Sequence, residues 1–254
     1  MAEDNRPFPE QSGMKTPTHN GGAHTSMMVE TGNTVGSQTS LMTQGEAYVL
    51  GLWCADGYHR TSSIGLSNVN LTLIKRFARF LERQLGRERL RIRVYVPPNV
   101  PRTREAEAIC DRVVYRRVQK AKHVSYHVYV NSRPLLRRLR GLAQQRETLP
   151  QTLIMAYFAG RFDGDGSLGA DRRKECRITY GNAADAERDQ RLLQRAREDR
   201  IQVYRYRDAR TYVLYVSRFD APAFVRELQE YSSILNSSDP VETEPVRARS
   251  AAVC

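Results

Sequence analysis

Val49-Leu50-Gly51-Leu52-Trp53-Cys54-Ala55-Asp56-Gly57 is answered 109 residues later by Phe158-Ala159-Gly160-Arg161-Phe162-Asp163-Gly164-Asp165-Gly166. The two stretches share Gly at the third place, Asp at the eighth and Gly at the ninth, the mark of an internal repeat. Each reads as the end of a helix. Thr43-Gln44-Gly45-Glu46 upstream of the first copy has capping-box form, and so does Thr148-Leu149-Pro150-Gln151 upstream of the second. The Gly after each Asp predicts a left-handed C-cap. Asp56 and Asp165 then fall in the last helical turn, where the macrodipole disfavours a carboxylate by roughly 0.3–1 kcal/mol. Two acids at matched unfavourable positions imply that a positive group is expected there.

Small residues recur four apart on both helices: Gly51 and Ala55 on one, Ala156, Gly160 and Gly164 on the other. Rows of this kind let two helix backbones approach closely. If the two helices pack on each other, their terminal carboxylates meet at the end of the seam, and paired carboxylates bind Mg²⁺ readily.

This double pattern resembles the LAGLIDADG family of homing endonucleases, in its single-chain form with two motif copies, over residues 44–232. Asp163-Gly164-Asp165-Gly166 matches closely. The first copy departs in carrying Cys54 where the family often has an acid, and keeps the acid before the final Gly as Asp56. The resemblance implies Asp56 and Asp165 as catalytic, metal-binding residues, with the carbonyls of Ala55 and Gly164 as further ligands. It implies two or three Mg²⁺ ions, with Mn²⁺ or Ca²⁺ able to substitute in binding. Gln145 and Arg146, just before the second copy, are its candidates for orienting the attacking water.

Periodicity gives the rest of the architecture independently. In the first half, the 44–56 helix is followed by a hairpin over 58–67, and a helix over 70–85 with Leu73, Ile74, Phe77, Phe80 and Leu81 on one face. Strands follow at 90–96 and 124–131, with a helix over 133–144 closing the half. Between the strands, 97–120 reads as a charged insertion holding a short helix or strand near 108–115. The second half repeats the order: a helix over 150–165, a hairpin over 167–181, a helix over 185–197, strands over 201–207 and 211–217, and a helix over 220–231. The expected fold is α+β. Two αββαββα units are related by a pseudo-twofold and joined through the motif helices, each an antiparallel four-stranded sheet with helices on one face. The expected domains are a disordered segment 1–43, repeats at 44–146 and 147–232, and a disordered tail 233–254.

The outward strand positions are basic, amide, hydroxyl or aromatic: Tyr58, His59, Arg60, Ser63, Ser67, Arg91, Arg93, Tyr95, Ser125, His127 and Tyr129 in the first half. The second half offers Arg172, Arg173, Lys174, Arg177, Thr179, Gln202, Tyr204, Tyr206, Arg210 and Tyr215. Such side chains pair with phosphates and base edges. Net charge is +12, from 40 Lys and Arg against 28 acids, which suits a polyanionic partner.

The expected partner is double-stranded DNA bound by a monomer with internal pseudo-twofold symmetry. The expected reaction is hydrolysis of one phosphodiester per strand at a long target. The family also includes RNA-binding intron maturases, so host intron RNA is the alternative partner. The four cysteines have no CxxC spacing or nearby His, which argues against structural zinc and for an intracellular, reducing compartment: cytoplasm, nucleoid or organelle. No apolar run approaches a membrane span and the N-terminus lacks signal-peptide form. No Ser/His/Asp or Cys/His arrangement suggests a protein nucleophile.

Overall fold

A computed structural model describes residues 42–58, 62–169, 175–206 and 210–236. The elements are α1 (Gln44–Asp56), β1 (Ile64–Asn68), α2 (Leu71–Leu85), β2 (Arg91–Val96), β3 (Val113–Arg117), β4 (Ser125–Val130), α3 (Arg133–Gln144), α4 (Gln151–Asp165), β5 (Gly166–Leu168), β6 (Cys176–Tyr180), α5 (Ala183–Ala196), β7 (Ile201–Arg205), β8 (Tyr212–Val216) and α6 (Ala221–Gln229). They form two four-stranded sheets, ordered β1-β4-β2-β3 and β5-β6-β8-β7. The expected α+β fold with two sheets is present.

The centre is the α1/α4 seam. A Cβ on Gly51 would lie 1.9 Å from the carbonyl oxygen of Tyr157, and one on Gly160 would lie 2.0 Å from that of Tyr48. Glycine is therefore required at both places, because the facing backbone occupies the space. Around the seam one continuous core runs through both halves. In the first, Leu73, Ile74, Phe77 and Leu81 of α2 are buried, as are Ile92 and Val94 of β2 and Val128 and Val130 of β4. Each such side chain contributes about 1.5–3 kcal/mol by leaving water.

Several local expectations fail. The capping box forms on α1, where Thr43 Oγ1 accepts from the Glu46 amide and Glu46 Oε2 accepts from the Thr43 amide. It does not form on α4, which starts one residue after Pro150, while Thr148 donates its hydroxyl to the Gln145 carbonyl in a single 3₁₀ turn. The C-cap glycines are not left-handed: Gly57 has φ −74° and Gly166 φ −86°, both extended. Their lack of a side chain serves packing, since a Cβ would fall 2.3 Å from a ring carbon of Trp53 at Gly57 and of Phe162 at Gly166.

The first sheet is mixed rather than antiparallel. The insertion supplies β3, which pairs parallel to β2 from Ile92↔Val113 to Val96↔Arg117. The crossover between them spans residues 97–112, long enough for a parallel return. The hairpin expected over 58–67 is reduced to a Gly57↔Leu66 bridge and a Tyr58 amide donating to the Gly65 carbonyl, its turn lying outside the described residues. At the other end, the chain stays packed beyond residue 232: the Ser233 amide donates to Asp163 at 2.7 Å.

Candidate nucleic-acid and metal site

Both motif helices end on their acid, and each leads into its sheet at the next residue, through the Gly57 bridge and through β5. A Cβ on Gly164 would sit 2.4 Å from Ala55 Cβ and 3.5 Å from Asp56 Oδ2. The end of α1, with Ala55 and Asp56, is thus pressed against Gly164, the residue before Asp165. Asn68, the last residue of β1, donates its side-chain Nδ2 to Asp56 Oδ2 at 2.5 Å. Arg161, one turn before Asp165, faces it with Nη1 to Oδ2 at 3.7 Å. No basic residue stands in the last turn of either helix, so a cation there would meet two carboxylates and two negative dipole ends.

Among the described residues, no cluster of three or more His, Cys, Asp or Glu side chains is placed to hold a metal. Two carboxylates with neighbouring carbonyls are an incomplete ligand set for Mg²⁺. That fits an ion completed by water and substrate phosphate, the usual arrangement for Mg²⁺ on one or two carboxylates.

The other acid of the second motif, Asp163, is not at this site. It is buried and accepts from Tyr48 Oη at 2.5 Å, Ser232 Oγ at 2.5 Å and the Ser233 amide. Burial pushes its carboxyl above the ordinary range, although Ser232, Tyr48 and Ser233 pull it down. Arg76 of α2 lies over the Tyr48 ring, 3.4 Å from its centroid, and donates to Tyr231 O and Ser233 Oγ.

Cys54 occupies the matching place in the first copy. Burial pushes its thiol up to about 11, against the pull of Arg161, and Tyr157 is its hydrogen-bond neighbour. Tyr157 Oη donates instead to Asp189 of α5, fully buried, at 3.1 Å. Asp189 also holds Tyr180 Oη at 2.9 Å, Arg146 Nε at 2.6 Å and Arg161 Nε at 3.4 Å. Burial works against the Arg161 charge, and its neighbours, Asp189 and Asp165 among them, keep it protonated. Asp189 went unnoticed in the sequence because it sits among charged residues of an amphipathic helix.

Arg146, a candidate for orienting the attacking water, is turned into the protein and 4% exposed. Each of its three side-chain nitrogens already donates inside the protein, to Asp189, to the Ala143 carbonyl and to Asp185. The latter bond, with that from Asn182, outweighs burial and holds Asp185 below the usual carboxylate range. Gln145 is exposed and caps α3, its carbonyl taken by Thr148.

Strand register sets the outward faces. In the first sheet, Ser67, His127 and Arg93 lie side by side, as do Gly65, Tyr129 and Arg91, and Ser125 and Tyr95. In the second, Ser167, Arg177, Tyr215 and Gln202 form one row, and Thr179, Val213 and Tyr204 the next. Tyr206 and Arg210 are exposed beyond the strand ends and Ser63 is half-buried just before β1. His59, Arg60, Arg172, Arg173 and Lys174 lie outside the described residues.

Two outward residues are less available than their pattern implies. His127 is only 5% exposed, stacked between Tyr58 at 4.4 Å and Tyr129 at 5.0 Å between ring centroids. Burial, helped by Arg93, drives its imidazole down to about 4. A Cβ on Gly65 would stand 2.8 Å from His127 Nε2, so that glycine makes room for the stack. Arg177 is paired with Glu175, an acid at the edge of the same face.

No protein-family model and no curated protein matches the sequence. Solved structures do. The complex of I-DmoI with DNA and Mn matches with a TM-score of 0.51 at 18% identity, over 73% of this chain and 96% of that one. Its complex with DNA and Ca matches with the same TM-score at 21% identity, over 78% and 94%. Mesophilic variants of the homing endonuclease I-DmoI match with the same score at 20% identity, over 76% and 98%. In fold, then, the chain is similar to the single-chain homing endonuclease I-DmoI, with its own two motif helices forming one seam.

Proposed function

We propose that this chain is a site-specific endonuclease that hydrolyses one phosphodiester in each strand of a long duplex target, using divalent metal ions. The observation that carries this reading is the placement of Asp56 and Asp165. The seam brings two matched helix ends together and leaves each carboxylate at the entry to a sheet with an Arg-, Tyr- and hydroxyl-bearing outward face. The likeness to I-DmoI, solved with DNA and with Mn, Ca or Mg, supports both the duplex partner and the divalent ion.

Asp56 and Asp165 would hold the ions, with the Ala55 and Gly164 carbonyls beside them. Bound metal supplies charge for the leaving oxygen and a water acidic enough to attack. The protein's own part is positioning. Asn68 fixes the Asp56 carboxylate, Arg161 faces Asp165, and the glycines set the approach of the two helices. The outward rows would read base edges and grip phosphates on either side.

A randomised duplex library tests this. The full chain should cut a subset of the library with Mg²⁺ and none in EDTA. Asp56→Asn and Asp165→Asn should each slow cutting by about 10³-fold or more, the several kcal/mol expected of a lost metal ligand. Cutting undiminished in both variants would refute the mechanism.

A further inference from the structure

Both sheets have four strands, but the strands do not correspond one for one. Counting from the motif acids, β1, β4 and β2 of the first sheet correspond to β6, β8 and β7 of the second, and the Gly57 bridge corresponds to β5. That leaves β3 as an addition, lying at the edge farthest from the acid. In the second sheet the matching edge is β7 itself, among the described residues.

β3 is firmly built. Pro97 and Pro98 end β2, and the crossover buries Ala106, Ile109 and Cys110. Cys110 Sγ donates to the Leu90 carbonyl at 3.1 Å, and Tyr126 Oη of β4 reaches Glu105 at 3.2 Å. Tyr115 Oη donates to the Thr103 carbonyl at 3.0 Å, and Arg117 clamps the carbonyls of Pro97, Pro98 and Val100. These bonds hold β3 flat against β2 and fix which side chains point out. Val114 stands beside Arg93 and Arg116 beside Tyr95, continuing the outward rows of β2. Val114 is 51% exposed and Arg116 is exposed. An apolar group between two arginines is suited to a thymine methyl with phosphates on either side.

We infer that β3 is an added DNA-contacting strand, with Val114 and Arg116 touching duplex beyond the reach of β2, so that the first half grips a longer stretch than the second. One strand adds ~5 Å of face, or about one to two base pairs. The inference rests on the duplex-binding part of the proposed function.

The experiment uses the full chain and a duplex selected from a randomised library by binding in Ca²⁺. Hydroxyl-radical footprinting maps both flanks, and Mg²⁺ on the same duplex marks the cuts. Protection should extend about one to two base pairs further on one flank. Arg116→Gln and, separately, Val114→Ser should erase that margin alone, with an unchanged thermal midpoint. Arg116→Gln should weaken binding by about tenfold at most and lower the salt slope by about one. A duplex that is cut but protected equally on both flanks, or a margin surviving both variants, overturns the inference and leaves the nuclease reading standing. A duplex bound and not cut refutes the nuclease while the footprint still decides the role of β3. Failure to select any duplex overturns both.

Discussion

On one side of the α1/α4 seam, Tyr48 of α1 meets Asp163 of α4; on the other side, Tyr157 of α4, 109 residues after Tyr48, meets Asp189 of α5. The tyrosines are equivalent, and each gives its hydroxyl to a buried acid. The acids are not equivalent. Asp163 belongs to the second motif copy, while its counterpart in the first is Cys54, so the second acid comes from a neighbouring helix. The surroundings differ too. Neutral donors from Ser232 and Ser233 close the first side, with Arg76 stacked outside it, and Arg146 and Arg161 close the other with charge. A repeat can thus keep its backbone geometry while its buried polar groups are supplied from different elements.

That contrast predicts equal effects where backbone is concerned. Gly51→Val and Gly160→Val should each cost about 5 kcal/mol or more, because the facing carbonyl cannot retreat without opening the seam. Denaturant melts should show both variants unfolded or nearly so. A well-folded variant at either position would break the symmetry of the seam.

Unequal effects are expected at the two acids. Asp189→Ala strands two buried arginines and should cost about 3–5 kcal/mol. Asp163→Ala leaves a tyrosine, a serine and an amide without their acceptor, closer to about 2 kcal/mol. Urea melts of the two variants side by side measure the gap, and equal losses would mean that the charges around Asp189 count for nothing.

His127 gives a smaller, pH-dependent difference between the two sheets, since the second has no such residue on its face. Its folded pKa, about 4, lies below the ordinary 6.5. The unfolded chain therefore binds the proton more tightly. The stability is whole above about 6.5 and drains away as pH falls toward 4, by about 1 kcal/mol at pH 5.5. His127→Phe should flatten that part of the melting-temperature profile; an unchanged slope would assign it to other groups.

Much of this was legible in the sequence, and the failures have physical causes. Period-2 and period-3.6 patterns located the helices and most strands, and the small-residue rows located the seam, because each reports directly which side must be covered. Parallel pairing of β3 was not legible, since alternation shows a strand's faces and not its partner's direction. The fate of Arg146 was hidden likewise. A linker arginine looks solvated until α5 delivers Asp185 and Asp189 to it. His127 was placed on the correct face, and its burial depends on Tyr58, which pattern alone does not bring across the sheet. The extended C-cap glycines show that a residue type can be foreseen for the wrong reason.

The same caution applies to glycine within helices, and it gives the mildest test of what makes the seam special. Gly141 lies inside α3, and a Cβ there would meet nothing within 4 Å. Its backbone is helical, so alanine adopts it without strain, and the gain comes from the unfolded chain, which loses freedom when glycine is replaced. Gly141→Ala should therefore stabilise by about 0.5–1 kcal/mol. Gly51, in an equally regular helix, should answer even the added methyl of alanine with a large loss. The sign, read from the denaturation midpoints of the two alanine variants, separates a glycine held by close approach from one that is merely tolerated. A loss at Gly141 would mean that α3 has a neighbour its open face does not show.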